Sequence, residues 1–321
     1  MYLIDLHCDT AGKILESKGR EGLLENSFDI DIQRMKKAGT MAQFFACFVY
    51  MDMFHGEDRL EQAFAYAKQM AATMKEEVAK NSEAIAFATN GEEILHNREN
   101  QKISAILTVE EGGIVNRSLE KLEELYQEGI RLMTLMWNFE NCMGFPNSTD
   151  SRVMGNGLKP FGFEAVERMN ELGMLVDVSH MSDGGFWDVV HHCKAPFVAS
   201  HSSARSLCNH PRNLSDEMLK ALGEKGGVVG LNFYPAFVSE ENKAGKEVLA
   251  AHIRHMVNVA GIDAVAIGTD FDGFEGGELE IDKVEKMPLL YQELQKSGFT
   301  EGQLEKIWYG NAMRVICDVM K

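Results

Sequence analysis

Short runs of β-branched and apolar residues recur along the chain. Each is followed by a cluster of Gly, Asn, Asp or Ser and then by a longer stretch with apolar residues at helical spacing. The short runs predict strands at 2–7, 42–49, 103–109, 131–137, 174–180, 197–201, 228–233 and 264–270. A ninth run at 84–89 reads as an extra strand or as a lead-in to the next one. The amphipathic stretches predict helices at 59–80, 119–127, 163–172, 184–193, 216–224, 246–260, 286–296 and 301–309. Alternating strands and helices imply parallel strands joined by crossover helices. Eight such units in 321 residues predict a TIM-like (β/α)8 barrel, with 1–321 as a single catalytic domain. An open doubly wound sheet is the competing architecture and often carries a glycine-rich phosphate loop after an early strand. Here the first strand runs into His7-Cys8-Asp9-Thr10, and no GxGxxG or P-loop follows. Six prolines and no linker-like tract leave nothing that would divide the chain.

Charge narrows the partners. Lys plus Arg number 32 against 49 Asp plus Glu, a formal charge of −17. A nucleic-acid backbone or an anionic membrane is bound with surplus Lys and Arg, so neither is expected as a partner. No apolar run reaches the roughly 18 to 20 residues that span a bilayer, and the opening MYLIDLHCDT lacks the basic and apolar regions of a signal peptide. Six scattered cysteines without a CxxC pair fit free thiols, so a cytoplasmic location is expected. The nineteen methionines read as core filler.

The chemistry lies where the predicted strands end. The first ends in Asp5-Leu6-His7-Cys8-Asp9, the third in Glu110-Glu111-Gly112-Gly113 and the fifth in Asp177-Val178-Ser179-His180. The sixth ends in Ser200-His201-Ser202 and the eighth in Thr269-Asp270-Phe271-Asp272. In a barrel these ends meet at the C-terminal face, where active sites lie. Three imidazoles and three carboxylates in one cleft would repel and pay for desolvation unless cations sat among them. Mixed imidazole and carboxylate donors suit Zn, Mn, Fe or Co better than Mg or Ca. Five or more candidate ligands point to two ions sharing a carboxylate and activating a bridging water.

These blocks resemble the membrane (renal) dipeptidase family of zinc peptidases. The resemblance rests on DLHCDT, VEEGG, DVSH, SHSSARSLCNHPRNLSDEML and IGTDFDG, and extends through NGLKPFGFEAVERMNELGM and YGNAMRV over nearly the whole chain. It implies a barrel with two Zn2+ per chain that hydrolyses dipeptides through a metal-bridging hydroxide, and it implies a homodimer. By that resemblance His7 and Asp9 hold one zinc, His180 and His201 the other, and Glu111 is the bridging carboxylate, with Glu110 turned away. Asp270 matches the acid/base residue, and Arg212 an arginine that receives the substrate's terminal carboxylate. Mammalian members carry a histidine where this chain has Trp137, so Trp137 or its neighbour Asn138 is expected at the substrate, as pocket wall or as donor to the developing oxyanion. Related barrels that hydrolyse other small amides or N-acyl amino acids often begin with HxH and use a lysine bridge, unlike His7-x-Asp9 here. A catalytically inactive metal-binding barrel would show a decayed ligand set, and all these positions are intact. Of the other histidines, His252 and His255 are spaced to share a helix face and are expected on its solvated side.

Overall fold

The computed structural model describes residues 1–321. Eight parallel strands close into a barrel: β1 (Leu3–Cys8), β2 (Thr40–Phe48), β3 (Ile103–Glu110), β4 (Ile130–Thr134), β5 (Leu175–Asp177), β6 (Val198–Ser202), β7 (Val228–Leu231) and β8 (Val265–Ile267). Each strand pairs with the next, and β8 returns to β1 at Ile267 and Asp5. The run at 84–89 is an extra strand, Ile85–Phe87, which pairs with the start of β3 before β4 joins its edge. The predicted helices Arg59–Lys80, Leu119–Gln127, Asp216–Glu224 and Lys246–Ala260 form over the expected residues.

Two apolar layers hold the barrel. Leu107, Val109, Met133, Val176, Val229 and Ile267 face the surrounding helices. Ile4, Leu6, Ala42, Phe44, Ile106, Leu132, Leu175, Val198, Val228 and Ala266 fill the inside. The two-residue period of each strand produces this division. The inner cluster continues into Ala312, Val315, Ile316 and Val319 of the helix Asn311–Val319. That helix plugs one end of the barrel. Its first residue, Asn311, donates from Nδ2 to the carbonyls of Ile262 and Val265, tying the plug to β8. The expected helix 301–309 is shorter, Glu301–Glu305, and passes through a π-turn at Lys306–Gly310 into the plug. The predicted strand 131–137 stops at Thr134, so Trp137 lies in a loop. Helices at Thr10–Glu16 and Ile32–Ala38 escape the sequence pattern because they have only 7 residues each, and Gly91–Glu99 because its apolar residues, Ile94 and Leu95, are adjacent and mark no helical spacing.

Two strands break their own alternation at the open end. In β1 the inner positions are Ile4 and Leu6, yet the next residue, His7, also turns into the mouth. The β1–β2 register shifts between Asp5 and Cys8, and such a bulge re-aims one side chain. In β6 Val198 and Ser200 alternate inward, and His201 follows them where the β6–β7 register shifts between Ala199 and Ser202. β3 is regular: it pairs with β2 without interruption from Ala42–Ser104 to Phe48–Glu110. No helix is long and apolar enough to cross a membrane.

Candidate metal centre

At the open end six side chains from five strand ends meet, all 8% exposed or less: His7, Asp9, Glu110, His180, His201 and Asp270. Glu110 is central. Its Oε2 lies 3.4 Å from His7 Nε2, and its Oε1 lies 3.0 Å from His180 Nε2 and 3.5 Å from His201 Nε2. Asp9 Oδ2 is 3.3 Å from His7 Nε2, and Asp270 Oδ1 is 3.8 Å from it. The His7 and His201 rings stack with centroids 3.8 Å apart.

Glu111, expected to bridge, is not in this group. The regular alternation of β3 carries Ile106, Thr108 and Glu110 to the inner face. Glu111 begins the turn in a left-handed backbone, with φ of 93°. Its carboxylate swings sideways and accepts from Gly113 N at 2.9 Å, Asn141 Nδ2 at 2.7 Å and Trp137 N at 2.9 Å. The two-residue period counted from Ile106 singles out Glu110, whereas the family resemblance points to Glu111, one residue on.

The donor set fits cations. Three groups have ligand atoms within 4.8 Å of one another: His7, Asp9 and Glu110; Glu110, His180 and His201; His7, His201 and Asp270. The first two share Glu110. His180 Nε2 and His201 Nε2 face each other at 3.1 Å, an approach that suits two lone pairs aimed at a common ion. Asp9 Oδ1 and His7 Nδ1 are buried with no hydrogen-bond partner. Burial, reinforced by Arg212, holds His180 down to about 4, so its imidazole is neutral and able to ligate. Burial also lowers His201. For His7 burial acts downward, but the Glu110 and Asp9 carboxylates overcome it and raise the group. Burial, with Asp9 and Glu110 nearby, pushes Asp270 up to about 7.

Neighbours fix the imidazoles. Ser200 Oγ lies 2.7 Å from His201 Nδ1 and donates to Asp177 Oδ2 at 2.6 Å. With its own proton committed to the carboxylate, Ser200 accepts from His201 Nδ1–H, which leaves Nε2 unprotonated toward Glu110. Asp177 also accepts from Thr134 Oγ1, Ser179 N and Ser200 N. Asn138 Oδ1 sits 2.9 Å from His180 Nδ1 and orients that ring in the same way. An oxygen can only accept, so His180 carries its proton on Nδ1. Asn138 was expected at the substrate; its acceptor is taken by a ligand-bearing ring. Asn232 Nδ2 donates to Asp270 Oδ2 at 2.9 Å. Asp272 accepts from Thr10 Oγ1 and Asp29 N and is structural. Glu111, His180, Asp270 and Asp272 all have positive φ, a concentration of strained backbone at one mouth. A Cβ on Gly273 would collide with Asp9 Oδ2 and Asp270 Oδ1, so only glycine fits there.

Arg212 is 3% exposed. It donates from Nη1 to Ser202 Oγ at 2.9 Å and from Nη2 to the His201 carbonyl at 2.8 Å, while Nε is buried without an acceptor. Trp137 is half-buried and lines two connected cavities. One of about 260 Å3 reaches Glu110, His180 and Asp270; one of about 610 Å3 extends past Phe48 and Tyr50 to Lys13 and Tyr66. His252, expected on a solvated face, is buried: its Nδ1 accepts from Ala204 N and its Nε2 faces the Val238 carbonyl.

The chain is similar to known proteins in sequence and fold. Residues 1–321 match the family described as membrane dipeptidase, peptidase family M19. An uncharacterized dipeptidase of Schizosaccharomyces pombe is 31% identical, over 98% of this chain and 77% of its own. The crystal structure of a metallopeptidase called dipeptidase AC superposes with a TM-score of 0.91 at 27% identity, covering 100% of this chain and 99% of that one. A metallopeptidase from Rhodobacter sphaeroides, solved with a phosphinate mimic of L-Ala-D-Ala, superposes with a TM-score of 0.90 at 26% identity, covering 99% of each chain.

Proposed function

The chain belongs to the membrane dipeptidase family, peptidase family M19, and from that premise we propose how its cluster works. It is a metal-dependent hydrolase of peptide bonds that acts on small peptides. Our reading adds two zinc ions per chain, one held by His7 and Asp9, the other by His180 and His201, with Glu110 common to both. The observation that carries it is the division of one carboxylate: Glu110 Oε2 serves His7, and Glu110 Oε1 serves His180 and His201. When bound, a pair of such cations ionises water at neutral pH and polarises a peptide carbonyl.

The chain's own residues do the rest. Asp270 has Oδ2 held by Asn232, which leaves Oδ1 to take a proton and return it to the departing amine. Arg212 is assigned to the dipeptide's terminal carboxylate by its place in the family block, and the planar guanidinium suits that group. Trp137 and Phe48 wall the cleft and exclude water from the scissile bond. Asn138 serves His180, which leaves Trp137 as wall in place of the histidine of mammalian members.

The test is metal content by plasma emission together with hydrolysis of L-Ala-L-Ala and L-Ala-D-Ala, the latter suggested by the mimic in the Rhodobacter protein. About two zinc ions per chain, with turnover that chelation removes and zinc restores, is the expected result. Turnover that survives thorough chelation, or metal without turnover of any dipeptide, would overturn the proposal.

A further inference from the structure

Two consecutive acids end β3, and only the first belongs to the cluster. We propose that the second, Glu111, is a positioning residue: its carboxylate latches the loop after β4, and so sets where the Trp137 wall stands against the substrate. This rests on the dipeptidase reading above and deepens it.

The geometry is specific. Glu111 is 1% exposed and pairs with no Lys or Arg; its partners are three N–H donors. Oε1 takes Gly113 N, one turn onward in its own segment, and Asn141 Nδ2. Oε2 takes the backbone N–H of Trp137 at 2.9 Å. One carboxylate therefore joins the end of β3 to both ends of the 137–141 loop. Asn141 in turn donates from Nδ2 to the Leu135 carbonyl and accepts from Met143 N, which closes the loop on itself. The loop lies beyond the last residue of β4, Thr134, so no strand pairing holds Trp137 in place. Its indole packs among Phe48, Tyr50 and Phe139, with centroids 5.0 to 5.6 Å away, and the His180 ring at 6.1 Å. A buried carboxylate accepting from backbone N–H groups is the kind of tie that fixes such a loop.

A surface acid would not adopt this arrangement. The left-handed backbone at Glu111 is costly for a side chain with a Cβ, and it persists where surrounding contacts over-determine it. Here those contacts are the latch. The indole faces both cavities of the cleft, so a shift of the Trp137 backbone would move a wall of the substrate site.

Glu111→Gln tests this with little change of shape. The amide oxygen can keep Gly113 N and Asn141, but the new NH2 group confronts the Trp137 N–H donor to donor. The first readout is acrylamide quenching of tryptophan fluorescence in the metal-free protein, which needs no turnover. Quenching should rise in Glu111→Gln, and the rise should vanish in a Trp137→Phe background. The second readout is kinetic: KM for an alanine dipeptide rises roughly tenfold, as for one lost hydrogen bond to a charged acceptor, while kcat changes less than about threefold and bound metal is unchanged. In a Trp137→Ala background the KM effect of Glu111→Gln should disappear, because the wall is already gone. Should Glu111→Gln fail to fold, Asn141→Ala releases the latch from its other end and should raise quenching in the same way. Unchanged quenching in the soluble variant refutes the latch. So does a KM effect that adds fully to that of Trp137→Ala. An inactive parent enzyme would refute the dipeptidase reading and leave the quenching result to decide on the latch.

Discussion

Asp177 never touches the candidate metal positions, yet replacing it with asparagine should weaken metal binding. Its Oδ1 accepts from Ser179 N at 3.0 Å and Ser200 N at 2.8 Å; its Oδ2 accepts from Thr134 Oγ1 and Ser200 Oγ, both at 2.6 Å. Asp177→Asn keeps the first two bonds and reverses the others, because an amide NH2 donates. The Thr134 hydroxyl can turn and accept. The Ser200 hydroxyl can too, and its proton then turns either to His201 Nδ1 at 2.7 Å or to Ser179 Oγ at the longer 3.3 Å. Taking the shorter bond makes His201 move its ring proton to Nε2, the atom that faces Glu110 and any cation. Disturbing a group that orients a metal-binding histidine typically costs about 10- to 100-fold in affinity, or roughly 1.4 to 2.7 kcal/mol at 1.36 kcal/mol per tenfold. Exchanging two hydrogen bonds to a charge for neutral ones should cost the metal-free fold about 1 to 3 kcal/mol as well. Competition with a chromophoric chelator measures the first quantity, and urea unfolding without metal the second. Asp177→Asn combined with Ser200→Ala should recover part of the lost affinity, since the wrong tautomer is then no longer enforced. If Asp177→Asn loses stability but binds zinc as tightly as the parent, the relay through Ser200 is wrong and Asp177 only holds the strands together.

Other outcomes follow from the same geometry. Glu110→Gln should leave less than half of the parent's metal after dialysis while Glu111→Gln keeps it; plasma emission on the two variants decides between the adjacent acids. Arg212→Ala should lower kcat/KM for a dipeptide roughly a hundredfold more than for the same dipeptide amidated at its C-terminus, and equal losses would break the assignment of Arg212 to the terminal carboxylate. His252 titrates near 4 in the fold because burial disfavours its charged form, against about 6.5 when unfolded. The unfolded chain therefore takes up a proton first as pH falls, and stability drops between about pH 6.5 and 4, by up to roughly 3 kcal/mol from this group. Unfolding midpoints of His252→Gln should fall less steeply across that window than those of the parent; identical slopes would refute it.

The sequence carried the architecture because eight strand–helix units each keep their period. Within the site it carried what regular alternation or family resemblance could reach. Asp270, His180 and Arg212 are found at the cleft or directly behind it. His7 and His201 do reach the mouth, but a strict two-residue period counted from Leu6 or Ser200 would have sent both outward; the register shifts that turn them depend on neighbouring strands and leave no mark in the local pattern. At β3 the opposite held. β3 pairs with β2 in unbroken register, so plain alternation leads to Glu110, where the family resemblance points to Glu111. Asn138 shows a third limit. Its type fits an oxyanion donor, and only the folded chain reveals that its oxygen is already committed to His180.

The plug at the base of the barrel has a consequence for how the protein is made. Ile4 and Leu6 share their buried cluster with Val315, Ile316 and Val319, which lie at the far end of the barrel's sequence. The barrel seam between β1 and β8 also joins segments separated by most of the chain. Neither the seam nor the inner core can be completed until the strand Val265–Ile267 and the helix Asn311–Val319 have joined the early strands. The closing step is therefore one of high contact order, and such pairings are slow. Until then the inner faces of the early strands stay open to water, which makes this interval the one in which a chaperone would have most to cover.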